Sequence, residues 1–146
     1  PFNLQQLARD SKPLLVLFEQ HKCKPCDEYH ADIYQRQQTR EQLQRFNIVR
    51  LDMWAETPLI TPQGRQSTAR AFAKQLDVKY APSMVFFDHS GKEVFRSEAY
   101  LRAFHIQSIL DYVASGAYQQ QPNFQRYIAN RADKLEAQGV HVDLWK

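Results

Sequence analysis

The chain has 146 residues, 43% of them hydrophobic, and its 19 basic and 16 acidic side chains give a formal net charge of +3 at pH 7. We expect one domain, 1–146, that buries a core without disulfide support. The charges form no basic stripe, and no apolar run approaches the roughly 18 residues of a membrane span. We therefore expect neither a nucleic-acid partner nor a membrane-embedded protein.

The spacing of apolar residues alternates along the chain between that of helices and that of strands. A segment at 2–8 predicts a short helix, and the apolar run Leu14–Phe18 predicts a strand covered on both faces. The predicted elements that follow are a helix opening at Lys24, a helical segment at Gln35–Arg45, a strand at Phe46–Met53, a loop at Ala55–Gly64, a helix at Ser67–Leu76, a strand hairpin over 84–97, a helix at Arg102–Val113, a linker at 115–123 and a helix at Phe124–Gln138. This order predicts an α/β protein with a mixed central sheet, helices on both faces and a C-terminal helical extension at 122–146. It is the element order of a thioredoxin fold.

Cys23 and Cys26 are the only cysteines in the chain, and they lie where the first main strand gives way to a helix. A bridge across so short a loop would restrict the unfolded chain very little, so it would stabilise the fold poorly. The positive end of a helix and the flanking Lys22 and Lys24 favour the thiolate of Cys23, the form that attacks disulfides. Cys26, one turn further, would be the resolving thiol, and Pro25 is tolerated in the first helical turn. The pattern predicts a redox-active pair.

Several stretches around these elements resemble members of the thioredoxin family. The chain is similar, in particular, to the thioredoxin-like proteins of bacterial sulfur-oxidation gene clusters, the SoxW type, in the stretches LFEQHKCKPC, NIVRLDMW, VKYAPSMVFFDHSGKEVFR, YVASGAY and FQRYI. The resemblance implies a periplasmic thiol–disulfide oxidoreductase that reduces disulfides of exported partner proteins without a cofactor. It also implies that a membrane dithiol carrier supplies the electrons and that an export signal has been removed from this chain.

The resemblance assigns a further pair of residues to the substrate groove. Pro82 stands directly before the third main strand, where the family has a cis-proline that faces the cysteine pair. The family's contact with the substrate backbone would then fall on Ala81. On this basis we expect a cis Ala81–Pro82 bond beside Cys23.

An acidic residue that thioredoxins have near the cysteine pair is absent from its usual position in this chain. Thioredoxins keep a buried aspartate six residues before the first cysteine, where this chain has Leu17. Alternation along a strand puts Glu19 on the same face as Leu17. Glu19 is therefore a candidate proton carrier for Cys26, unless its side chain simply ends the strand in solvent.

Two other functions remain open at this stage. The residues His21, Cys23, Cys26 and His30 have side chains that could hold zinc or copper. The chain could also be a non-catalytic thioredoxin-like interaction module, although such modules need neither an intact cysteine pair nor a cis-proline.

The sequence allows two interpretations for each of two further segments. The loop at Ala55–Gly64, with Trp54 before it, is either a lip over the groove or a loop that packs Trp54 and Leu59 on the domain. The last helix is either an extra layer that covers a sheet edge or another helix, or a docking surface for a partner.

Overall fold

A computed structural model describes residues 2–142 of the chain. Its strands are β1 (Phe2–Asn3), β2 (Leu14–Glu19), β3 (Asn47–Asp52), β4 (Pro58–Ile60), β5 (Gln66–Thr68), β6 (Ser83–Phe87) and β7 (Glu93–Ser97). Its helices are α1 (Leu4–Arg9), α2 (Lys24–Ala31), α3 (Gln37–Leu43), α4 (Ala69–Gln75), α5 (Ala103–Ala114), α6 (Ala117–Gln120) and α7 (Phe124–Ala137), with a 3₁₀ turn at Ile33–Gln35. Strands and helices alternate along most of the chain, as the sequence predicts.

The central sheet has four strands in the order β3-β2-β6-β7. β2 runs parallel to β3 and antiparallel to β6, and β7 is antiparallel to β6. A parallel pair needs a crossover connection, and α2 and α3 provide it between β2 and β3. The predicted mixed sheet is therefore confirmed.

β2 is the centre of the core, because all six of its residues are buried. Its side chains alternate between two apolar clusters. Val16 belongs to the cluster that contains Phe72 of α4, whereas Leu17 belongs to the cluster that contains Tyr29 of α2 and Ile106 of α5. Helices thus cover both faces of the sheet, which explains the uninterrupted apolar run and confirms the thioredoxin fold.

A second, three-stranded sheet corrects the predictions for 2–8 and 55–64. β1 pairs in parallel with β4, and β4 pairs antiparallel with β5, so the predicted loop contains a strand and the predicted helix begins only at Leu4. Leu59 in β4 and Thr61, just after it, are 2% and 1% exposed. Leu59 therefore packs on the body of the domain, which was one of the two alternatives for this loop.

The C-terminal segment forms two helices rather than one. The last helix is confirmed as α7, but 115–123, predicted to be a linker, contains α6. Gly116, with φ +77°, turns the chain after α5 in a conformation that favours glycine. Phe124 and Tyr127 of α7 pack on Tyr112 of α5 at ring-centroid distances of 5.1 and 4.8 Å. α7 is an added layer on α5.

A carboxylate on α5 holds this layer in place. Oδ1 of Asp111 accepts a hydrogen bond of 2.7 Å from Arg45, and its other oxygen accepts one from the hydroxyl of Tyr127. The guanidinium of Arg131 lies 3.8 Å from the same carboxylate. Burial opposes ionisation, but the hydrogen bonds from Tyr127 and Arg45 and the charges of both arginines hold the pKa of Asp111 below its ordinary value.

The lowered pKa of Asp111 predicts how stability depends on pH. Because the folded state favours the carboxylate, Asp111 contributes stability above its unfolded pKa of about 3.9, and this contribution is lost as pH falls through the folded pKa. We expect the difference in unfolding free energy between the wild type and Asp111→Asn to be largest above pH of about 5 and to shrink below pH of about 4. Urea unfolding across this range measures it. A constant difference would show that the charge of Asp111 does not stabilise the fold.

Candidate active site

The cysteine pair lies at the N-terminal end of α2 and is joined as a disulfide. Cys23 is the N-cap residue, and its Sγ accepts a hydrogen bond of 3.2 Å from the backbone N–H of Cys26. Both residues are nearly buried, at 4% and 3% exposed. Pro25 falls in the first turn of α2, where its missing N–H costs no helical hydrogen bond. The sulfur of Cys23 therefore sits among the unpaired N–H groups of the helix end, which favour a negative charge.

The charged residues around the pair are of both signs. Lys22 and Lys24 flank Cys23 and are exposed, and Lys22 has a left-handed backbone, with φ +56°, in the turn that joins β2 to α2. Asp27 and Glu28 follow Cys26 and are exposed as well. The two lysines favour a thiolate on Cys23, and the two carboxylates oppose them.

The segment before β6 lies beside the cysteine loop. The pairing of β2 with β6 ends at Phe18 and Ser83, so Ala81 lies outside the ladder at the end of β2 that leads to Cys23. The Ala81–Pro82 bond is cis, Pro82 is buried and Ala81 is half-buried. The structure therefore brings this segment to the end of the sheet that carries the disulfide.

Glu19 is not the solvent-exposed strand end that the sequence allowed. Its side chain is only 10% exposed and lies on the face of β2 covered by α2, as the alternation from Leu17 predicts. Oε1 accepts hydrogen bonds of 3.1 and 2.9 Å from Nε and Nη2 of Arg50. Oε2 lies 2.6 Å from Nε2 of His30. The carboxylate is thus held by two basic side chains. Its role as a proton carrier for Cys26 stays a prediction.

Three aromatic side chains outside the cysteine motif are exposed. Trp54 is 60% exposed and donates a hydrogen bond of 2.9 Å from its indole N–H to the side chain of Gln20, so it is far less buried than Leu59, with which one alternative for the loop grouped it. Tyr80, 62% exposed, precedes Ala81, and Tyr100, 47% exposed, stacks on Tyr29 of α2. No motif or spacing in the sequence marks either tyrosine.

The described residues contain no cluster of metal-ligating side chains that would support the metal-site alternative. Within residues 2–142, no group of three or more histidine, cysteine, aspartate or glutamate side chains is placed to hold a metal ion. His30 is bound to Glu19, and the two sulfurs are bound to each other.

Comparison with known proteins identifies the family. Residues 3–114 match the sequence pattern of the thioredoxin-like domain. The chain belongs to the thioredoxin-like domain family. A thioredoxin-fold protein from Helicobacter pylori superimposes with a TM-score of 0.74 at 16% identity, over 89% of this chain and 94% of that one. A thioredoxin from Thermus thermophilus gives a TM-score of 0.60 at 18% identity, over 74% and 78% of the two chains. No curated protein sequence matches this chain.

The thioredoxin-like domain and its cysteine pair together support a thiol–disulfide oxidoreductase. Cys23 and Cys26 are at disulfide distance, with Cα atoms 5.2 Å apart, and the pair can hold or release two electrons. Proteins of this family act on disulfide-bearing substrates. No helix within residues 2–142 combines the length and the apolar character needed to cross a membrane.

Proposed function

We propose that this thioredoxin-like protein is a protein-disulfide reductase that acts on disulfides of exported partner proteins. The observation that carries the proposal is the placement of Cys23 as the N-cap of α2, with Cys26 in the next turn. A thiolate at that position is stabilised by the helix end and by the lysines beside it. A non-catalytic module would have no use for such a pair.

The reaction is two successive thiol–disulfide exchanges. The thiolate of Cys23 attacks one sulfur of the partner's disulfide, a mixed disulfide forms, and the other partner sulfur leaves as a thiolate that takes up a proton. The thiolate of Cys26 then attacks Sγ of Cys23, which releases the second partner sulfur. The partner gains two electrons and two protons, and the protein is left with the Cys23–Cys26 disulfide.

We propose a groove for the substrate segment beside the disulfide. The backbone of Ala81 lies outside the sheet ladder, so an extended peptide could pair with it as an added strand. Pro82, which has no N–H, would keep the surface beside the sulfurs apolar. The exposed rings of Trp54, Tyr80 and Tyr100 would contact side chains on either side of the partner's disulfide.

The electron supply and the location follow from the resemblance to SoxW-type proteins. We propose that the protein works in the periplasm and that a membrane dithiol carrier reduces Cys23–Cys26 again. The chemistry needs no small cofactor, because thiols pass the electrons directly. We also propose that 1–146 is one domain, with 122–146 as a C-terminal extension of the thioredoxin fold.

The reduction potential of the pair tests the proposed direction. The exposed carboxylates of Asp27 and Glu28 oppose the lysines that stabilise the thiolate, so the reduced form should not be strongly favoured. We expect equilibration with glutathione to give a potential near that of thioredoxin, about −270 mV. A potential near about −120 mV, typical of a strong periplasmic oxidant, would make the protein an oxidant of partner thiols instead.

A further inference from the structure

A cluster of charged and polar side chains around the buried Glu19 lies beside α2, outside the cysteine motif. Glu19 of β2 is its centre, held on one oxygen by Arg50 of β3 and on the other by His30 of α2, at 2.6 Å. The side chains of Glu19 and His30 are 10% and 30% exposed. Tyr34, in the 3₁₀ turn, places its ring edge-on to His30 at 5.0 Å.

The contact with Glu19 orients the imidazole of His30. An ionised carboxylate can only accept hydrogen bonds, so Nε2 of a neutral His30 carries the hydrogen and Nδ1 keeps its lone pair. Arg50 donates two hydrogen bonds to the other oxygen of Glu19 and so holds the carboxylate in place. The second ring nitrogen of His30 is therefore a base whose orientation Glu19 sets.

His30 and Cys26 are one helical turn apart on α2. Side chains four residues apart share a helix face, with Cβ atoms about 5–6 Å apart. Side chains on a helix also lean toward its N-terminal end, so the side chain of His30 leans toward the turn that holds Cys26. Cys26 is 3% exposed, whereas the side chain of His30 is 30% exposed, so His30 can exchange a proton with solvent more readily than Cys26 can.

Two other groups near His30, Arg50 and Tyr34, cannot accept a proton in its place. Arg50 is a permanent cation. Burial first, and then the proximity of Tyr29 and Glu19, raise the pKa of Tyr34 far above its ordinary value, so its hydroxyl stays protonated. Among residues 2–142, the hydroxyl of Tyr34 has no hydrogen-bond partner.

On the basis of the proposed oxidoreductase function, we propose that His30 is the base that takes the proton from the Cys26 thiol in the resolving step. Glu19 is then a positioning residue. The proton moves from Sγ of Cys26 to Nδ1 of His30, and the thiolate attacks Sγ of Cys23. A new bond forms between the two sulfurs as the partner's sulfur leaves with the electron pair of the broken bond. His30 afterwards releases the proton to solvent.

A coloured aromatic disulfide, dithiobis(nitrobenzoic acid), separates the two steps. Mixed in equal amount with the reduced full-length protein, it releases one coloured thiolate when Cys23 attacks and a second when Cys26 resolves the mixed disulfide. We expect His30→Gln to leave the first phase unchanged and to slow the second about 10- to 30-fold at pH 7. The upper bound arises because a free thiol with a pKa near 8.5 is still roughly 3% ionised at that pH.

The pH profile separates proton transfer from structural damage. Above pH of about 9 the thiol ionises without a base, so the second phase of His30→Gln should reach the wild-type rate there. Glu19→Gln should slow the second phase by a smaller factor, and His141→Gln, a change of an exposed histidine, should not slow it. A second phase in His30→Gln within twofold of wild type at pH 7, or a deficit that persists at high pH, would overturn the role of His30. Absence of the first phase in the wild type would overturn the proposed function instead.

Discussion

Replacing Cys23 by serine is expected to abolish the reduction of protein disulfides, with turnover at least 10³-fold below the wild type. The loss corresponds to about 4 kcal/mol of transition-state stabilisation. Serine is not ionised at neutral pH and cannot form the mixed disulfide, so no other group replaces the nucleophile. Turnover of insulin, followed by its precipitation in the presence of a dithiol reductant, measures the effect.

The fold should survive this substitution, so the loss can be assigned to chemistry. A serine hydroxyl at position 23 can still accept the hydrogen bond that Cys23 accepts from the N–H of Cys26, since serine is a favourable N-cap residue. Circular dichroism of Cys23→Ser should therefore match that of the reduced wild type. Turnover above a tenth of the wild-type rate would mean that Cys23 is not the attacking thiol.

Tyr112→Ala is expected to give the largest loss of stability outside the central sheet, about 3–5 kcal/mol. Tyr112 is 1% exposed, and its ring contacts those of Phe95, Phe124 and Tyr127 at centroid distances between 4.8 and 5.4 Å. Truncation would leave a cavity where β7, α5 and α7 meet. Urea unfolding of the reduced proteins, monitored by circular dichroism, measures the change.

The matched variant Tyr112→Phe keeps the ring and removes only the hydrogen bond that the hydroxyl donates to the carbonyl of Gln121, at 2.6 Å. We expect it to cost about 1 kcal/mol. If Tyr112→Ala costs no more than Tyr112→Phe, the C-terminal helices are not packed on α5 as described, and the extension is not part of the cooperative domain.

The elements that the sequence predicts well are those with a local physical signal. The apolar run of β2 is long enough to mark a strand buried on both faces, and the change of period after Cys23 marks α2. The strands of the second sheet leave no such signal, because β1, β4 and β5 have only two or three residues each. The burial of Leu59 depends on β1, which lies more than fifty residues away along the chain.

In the candidate site, too, the sequence predicts some features and not others. The roles proposed for the cysteines rest on their position between a strand and a helix, which the sequence predicts and the structure shows. The contacts of Glu19 with Arg50 and His30 depend on the register of β2 against β3 and on how α2 crosses the sheet. Alternation predicts the correct face for Glu19, but no local pattern predicts its partners or the exposure of Tyr80 and Tyr100.

The most direct test of the account is to trap the covalent intermediate. The variant Cys26→Ser cannot resolve a mixed disulfide, so incubation of its reduced form with a disulfide-bearing protein should give an adduct through Cys23. We expect mass spectrometry to show this adduct, its release by a dithiol reductant, and its absence when Cys23 is also replaced by serine. If Cys26→Ser forms no adduct with any disulfide-bearing protein, or forms one that does not involve Cys23, the oxidoreductase mechanism proposed here is wrong.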